Sequence, residues 1–359
     1  MKFKHLVLAF LSILFFNACS SDDENCCSDP ETPDTGFSNT LLVLNEGNFG
    51  SGNSSVTSID ENSGSTESNI FSSVNGRPLG DTSQSISFFE DNAFIIQNVS
   101  NTIEVVNRGT FESIATIDTG LQNPRFSVVS NGNLYVTNWG DGSNPDDDFV
   151  AVIDLNSLEI AKTISVAEGP EKIIETNDQI FVAHKGGFSF NNIVSVININ
   201  NMEVTKEIEV GDLPQSLLVV NSELWVLNNG IPSFAMNESA GSISKIDITS
   251  LEVTETLEFP NEIDHPENLK LLGNTVYYTL NKDVYRLATD GTMIPTVPEY
   301  TLNDVQVLYG FEIKEERLYA ASANSDFTGN GNLYIYDLAT GGLLNSFSTG
   351  INPTAIYFN

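Results

Sequence analysis

The stretch Leu134-Tyr135-Val136-Thr137-Asn138, an apolar start with an amide end, recurs in degenerate form along the chain. Its counterparts are Leu41-Leu42-Val43-Leu44-Asn45, Phe94-Ile95-Ile96-Gln97-Asn98, Ile180-Phe181-Val182-Ala183-His184, Leu224-Trp225-Val226-Leu227-Asn228, Val276-Tyr277-Tyr278-Thr279-Leu280 and Leu318-Tyr319-Ala320-Ala321-Ser322. These seven copies are spaced about 40 to 53 residues apart, the period of four-stranded propeller blades.

Each copy sits in a longer unit. A second apolar run follows it, often ending in Asp or Asn, as in Val152-Ile153-Asp154 and Val196-Ile197-Asn198. After a tight turn the pattern alternates (Ile160, Lys162, Ile164, Val166), the mark of a half-buried strand. A Pro-led segment such as Pro124-Arg125-Phe126 or Pro170-Glu171-Lys172 then leads into the next copy. Four strands per unit and seven units predict an all-β, seven-bladed β-propeller over residues 39–359, with no helix of any length outside the N-terminal segment. The body opens on a second-strand motif at Leu41 and ends on a first-strand motif at Pro353. The C-terminal strand is therefore expected to join the N-terminal blade and close the ring.

The N-terminus reads as a targeting signal over residues 1–18. Lys2 and Lys4 precede an apolar run over residues 6–16, too short to span a bilayer, and Phe16-Asn17-Ala18-Cys19 ends it. The small residue before Cys19 resembles a lipobox, which makes Cys19 the lipidated first mature residue; ordinary secretion with cleavage near Ala18 is the alternative. Residues 19–38, rich in Ser, Asp, Glu, Pro and Thr, read as an acidic linker. Cys26 and Cys27 lie in it, and no role follows for them.

The chain carries 48 acidic against 15 basic residues, a formal charge of −33, which argues against a nucleic-acid partner. Its three cysteines all precede residue 28 and it has three histidines, little material for a thiolate or imidazole metal site. No catalytic motif stands out, so the chain reads as a binding module rather than an enzyme, with no cofactor.

Tyr135-Val136-Thr137-Asn138 is the YVTN signature, and with the Val-Ile-Asp and Pro-led segments the chain resembles the YVTN or YncE-like propellers over roughly residues 40–359. The signal, the acidic tether, the opening Leu-Val-Leu-Asn-Glu-Gly-Asn-Phe-Gly of residues 42–50 and the all-propeller body also resemble the BtuG-type surface lipoproteins of Bacteroidota. That resemblance implies an outer-membrane, cell-surface protein, held in the membrane by its lipid anchor. It would capture cobalamin or a related corrinoid and hand it to a TonB-dependent transporter. A protein- or glycan-binding propeller without a small ligand is the alternative.

The segments after the second strands (46–55, 139–149, 185–192, 229–240 and 323–332) are long and share one face of a propeller, where binding is expected. Candidate ligand contacts are the aromatics Phe49, Trp139, Phe188, Phe234 and Phe327, and the amides Asn45, Asn98, Asn138, Asn228 and Asn281. Aromatics suit the face of a corrin and amides its carboxamide rim, although Asn also serves simply to satisfy loop backbone. Arg125 and Lys172 are candidates for the nucleotide-loop phosphate. His184 stands where Asn recurs; it either reaches a metal centre in the ligand or is a solvent-facing or hydrogen-bonded histidine. Residues 141–148 hold oxygen ligands at a spacing open to Ca²⁺, or else form a solvated acidic loop.

Overall fold

In the computed structural model, which describes residues 36–359, every sheet has four antiparallel strands and there are seven sheets. The predicted apolar runs are the second strands: Leu41–Asn45, Asn92–Gln97, Asn133–Asn138, Gln179–His184, Glu223–Asn228, Thr275–Leu280 and Arg317–Ala323. Their side chains are buried on both faces, which is why they read as continuous apolar runs; Leu42, Val43 and Leu44 have no exposed area.

The Pro-led segments form five of the innermost strands, Pro124–Ser130, Pro170–Thr176, Pro214–Val220, Glu267–Leu272 and Pro353–Phe358, and Ser83–Phe89 and Val307–Lys314, which start without Pro, complete the set. Each touches the next, and the last touches the first, so they make a closed ring. The apolar core is divided accordingly. Seven clusters of buried side chains occupy the gaps between neighbouring blades; one packs Trp225, Leu227 and Ile243 of the fifth blade against Val276, Tyr278 and Leu287 of the sixth. The fourth strands are exposed at alternate positions and carry Lys and Glu, which discourages pairing with another chain.

The closure is as the sequence predicts. Pro353–Phe358 pairs antiparallel with Leu41–Asn45, Leu41 opposite Phe358 and Leu44 opposite Ala355. Chain entry and chain end therefore meet at the face opposite the one where Asn45 leaves its strand. Phe37, assigned to the linker from the sequence, already packs edge-on against Phe111 at 5.6 Å and donates its N–H to Gly109. The packed body thus starts before residue 39. A helix absent from the sequence reading, Ile70–Asn75, lies in the link between the first two blades and buries Ile70 and Phe71. The strand-end acids cap their own turns: Asp154 Oδ1 accepts the N–H groups of Asn156 and Ser157, both at 2.9 Å, and Asp247 does the same for Thr249 and Ser250.

Candidate binding face

Each second strand runs to the same face of the wheel, and five of the connections to the third strands are long. They place the aromatic candidates together on that face. Phe49, Phe188 and Phe234 are 83%, 82% and 86% exposed, and Met236 beside Phe234 is 90% exposed. Phe327 leans edge-on against Tyr309 at 5.9 Å. Trp139 is half-buried: its indole N–H donates to Pro170 O at 3.0 Å and Phe188 stands edge-on to it at 6.0 Å. Exposed aromatics from separate blades on one face need an explanation that scattered surface apolars do not.

The centre of this face is built by a device repeated in every blade. The pairing of innermost and second strands slips in register near the start of the innermost strand in all seven sheets. Such bulges re-aim side chains. The residues at this position are Gln84, Arg125, Glu171, Gln215, Glu267, Tyr309 and Thr354, and they ring the mouth of the axial channel. Arg125 donates through Nε and Nη2 to the two Glu171 oxygens, both at 2.9 Å, and its guanidinium lies 4.0 Å from the centroid of Trp139. Lys185 reaches Glu171 at 3.3 Å. Burial alone would raise the Glu171 carboxyl, but the charges of Arg125 and Lys185 and the Arg125 hydrogen bonds hold it at about 2. Burial raises Glu46, whose carboxylate accepts the Tyr309 hydroxyl at 2.7 Å, and also Glu267. Of this ring the sequence assigns only Arg125 a ligand role. For Glu171, Gln215, Glu267 and Thr354 the signal is the position after the recurrent Pro, whereas Gln84 and Tyr309 follow Ser83 and Leu308 and carry no such mark.

The amide candidates require correction. Asn45, Asn138 and Asn228 have no exposed area and Asn98 is buried. Asn45 donates to Val43 O and to the Ser55 and Thr57 hydroxyls and accepts the Gly350 N–H at 3.0 Å. Asn138 donates to Val136 O and accepts the Gln122 N–H; Asn228 donates to the Ser242 and Ser244 hydroxyls; Asn98 donates to Pro124 O. These amides tie the inter-blade links to the strand ends. The links pass so close that a Cβ on Gly211 would fall 2.2 Å from Ser242 Oγ and 2.8 Å from Asn228 Nδ2. Asn281 stays exposed, in a two-residue turn that it enters with φ 54°, a conformation asparagine tolerates.

His184 occupies the same interior position, with no exposed area, so it neither faces solvent nor reaches a ligand. Burial pushes its imidazole down to about 4. The unfolded chain then binds the proton more readily, so stability falls as pH drops from 6.5 towards 4, by about 3 kcal/mol over the full window. His184→Asn, restoring the amide found in other blades, is expected to flatten that slope in urea titrations at pH 7 and pH 5. An unchanged slope would assign the acid sensitivity elsewhere.

The acidic loop turns its oxygens onto its own backbone. Asp147 accepts the Asp141 N–H, Asp141 accepts the Ser143 N–H and hydroxyl, and buried Asp148 accepts the Gly169 N–H at 2.5 Å. Among the described residues no group of three or more His, Cys, Asp or Glu side chains is placed to hold a metal ion. Cys19, Cys26, Cys27 and the signal segment lie outside the described residues.

The family model described as "Domain of unknown function (DUF5074)" matches residues 39–354. The chain belongs to the DUF5074 family. No curated protein matches it. Among solved structures, this DUF5074 chain is similar to hydrazine synthase of Kuenenia stuttgartiensis at 18% identity, with 74% of this chain and 85% of that one covered and a TM-score of 0.59. It is similar to the dihydro-heme d1 dehydrogenase NirN in complex with DHE at 12% identity, 90% and 75% coverage and a TM-score of 0.57. The BamB protein of Moraxella catarrhalis matches at 12% identity, 78% coverage of both chains and a TM-score of 0.52. At such identities the likeness concerns the propeller fold alone.

Proposed function

We propose that this DUF5074 propeller is a non-catalytic capture module of the bacterial surface. It is anchored through lipidated Cys19, takes a corrinoid such as cobalamin on its aromatic face, and passes it to a TonB-dependent outer-membrane transporter. The observation that carries the reading is the exposure of Phe49, Phe188 and Phe234, from three different blades, around one charged mouth. Covering each ring contributes about 2 kcal/mol, and a broad, flat ligand can cover several at once. Because Asn45, Asn98, Asn138 and Asn228 serve the scaffold, the polar complement to a corrin rim comes instead from the half-buried Gln215 and Lys185 at the mouth. The signal, the tether and the BtuG-type resemblance support the placement and the hand-off.

A second reading, a protein partner docking on the same face, is favoured by Met236, which extends the apolar area outward beside Phe234. Calorimetry of the purified protein with cobalamin, cobinamide and haem separates the two. We expect tight binding of a corrinoid and a loss of at least about 100-fold in the Phe49→Ala/Phe188→Ala/Phe234→Ala variant, in line with loss of several anchoring side chains. No heat with any of the three ligands would end the corrinoid reading. Capture of a transporter without cobalamin, lost in the triple variant, would establish the protein reading.

A further inference from the structure

The axis of the wheel encloses a cavity of about 340 Å³ walled by all seven innermost strands. Its charged lining residues are Lys172, Lys270 and Glu312. Lys270 donates to Glu312 at 2.5 Å, so those two neutralise each other. Lys172 is left over. Its ammonium stands 3.5 Å from the centroid of the Phe126 ring, and among the described residues it has neither a carboxylate within ion-pair distance nor a hydrogen-bond acceptor. The adjacent Glu171 is taken by Arg125 and Lys185 at the mouth. Two lysines and one glutamate leave the cavity lining with one positive charge, inside a chain whose formal charge is −33. Ser216 and Asn268 bring donors to the wall, and Ile173 and Leu217 bring apolar surface.

We propose that the axial cavity binds a small organic carboxylate, with Lys172 as its counter-ion. A monoanion fits because one uncompensated cation faces the space; a dianion would leave a negative charge unpaired in the interior. Part-enclosure strengthens the pair relative to water, and the apolar wall accommodates the carbon skeleton. Without a partner, burial pushes the Lys172 ammonium down to about 7, against the attraction of Glu171; Lys270, Lys185 and Arg125 add repulsion. An anion in the cavity relieves that repulsion. The site lies on the axis rather than on the aromatic face and is independent of what that face captures.

The test is thermal stability and calorimetry of the full protein at pH 6 and pH 9 with acetate, butyrate and benzoate. Benzamide and sodium chloride of equal ionic strength are the controls. At least one carboxylate is expected to raise the melting temperature at pH 6 and less so at pH 9, where Lys172 is neutral; benzamide and chloride are expected to leave it unchanged. Lys172→Gln should still fold, melt at or above the wild-type temperature, and bind that carboxylate at least about tenfold more weakly, as loss of a charge-assisted contact predicts. Lys172→Arg should keep binding. No response to any of the three carboxylates, or an equal response in Lys172→Gln, would overturn the proposal. The triple phenylalanine variant should bind the carboxylate unchanged, so failure of the corrinoid reading and failure of this one are distinguishable.

Discussion

Removing residues 352–359 is expected to abolish cooperative folding of the whole propeller. The deletion takes away the strand Pro353–Phe358 and leaves Leu41–Asn45 with a free edge. It also opens the inner ring between Val307–Lys314 and Ser83–Phe89, both of which the lost strand touches. Ile356 is buried, the Tyr357 hydroxyl accepts the Ile86 N–H at 2.8 Å, and Phe358 stands edge-on to Tyr319 at 5.1 Å. The Asn359 amide donates to Phe37 O and Arg108 O, both at 2.8 Å. Three large side chains at about 2 kcal/mol each and several hydrogen bonds at about 1 kcal/mol each sum to roughly 10 kcal/mol, comparable to the stability of a typical domain. A circular-dichroism melt of the truncated chain should show a broad, low transition or none. A melt superimposable on that of the full chain would contradict the closure.

Arg125→Met is expected to cost about 3–5 kcal/mol, the usual penalty for stripping one partner from a buried ion pair. The variant loses both hydrogen bonds to Glu171 and the stacking on Trp139, and leaves the carboxylate with Lys185 alone. The pH dependence carries a sign. In the wild type Glu171 is held at about 2, so its contribution is complete above the ordinary glutamate value of 4.5 and disappears only as pH falls through about 2. Without Arg125, burial raises the carboxyl, and protonation relieves the fault. The stability gap between variant and wild type should therefore be widest at pH 7 and narrow towards pH 4. Arg125→Met/Glu171→Met should recover much of the loss, and a double-mutant cycle by urea titration measures the coupling. Strictly additive single effects would mean that the two side chains do not act as a pair.

The fold was legible because each second strand is sandwiched between neighbouring blades, which forces a run such as Leu41-Leu42-Val43-Leu44 to be apolar throughout. Proline marked five of the innermost strands for a related reason: it sits at the strand start beside the register slip, where a missing N–H costs little. The exposed aromatics were legible as loop residues, since nothing in a loop of that composition would bury them. The amides misled because a strand-end Asn looks the same in sequence whether it points at a ligand or back into the links; only the approach of Gly350 to Asn45 and of Gly211 to Asn228 separates the two. For His184 the ligand and solvent-facing readings fail by burial, and the hydrogen-bonded one fits its place beside the Ala167 and Glu168 backbone. The charged ring at the mouth depends on backbone slips; the preceding Pro marks Glu171 only as a strand start, and nothing in the sequence marks Tyr309. The Ile70–Asn75 helix is too short for its period to register.

The meeting of Phe37 and Asn359 on the side away from Asn45 has a practical meaning for whatever approaches the wheel. A label attached at Phe37 or Asn359 therefore reports on the face opposite Phe49, Phe188 and Phe234 and leaves those three rings free for a titrant.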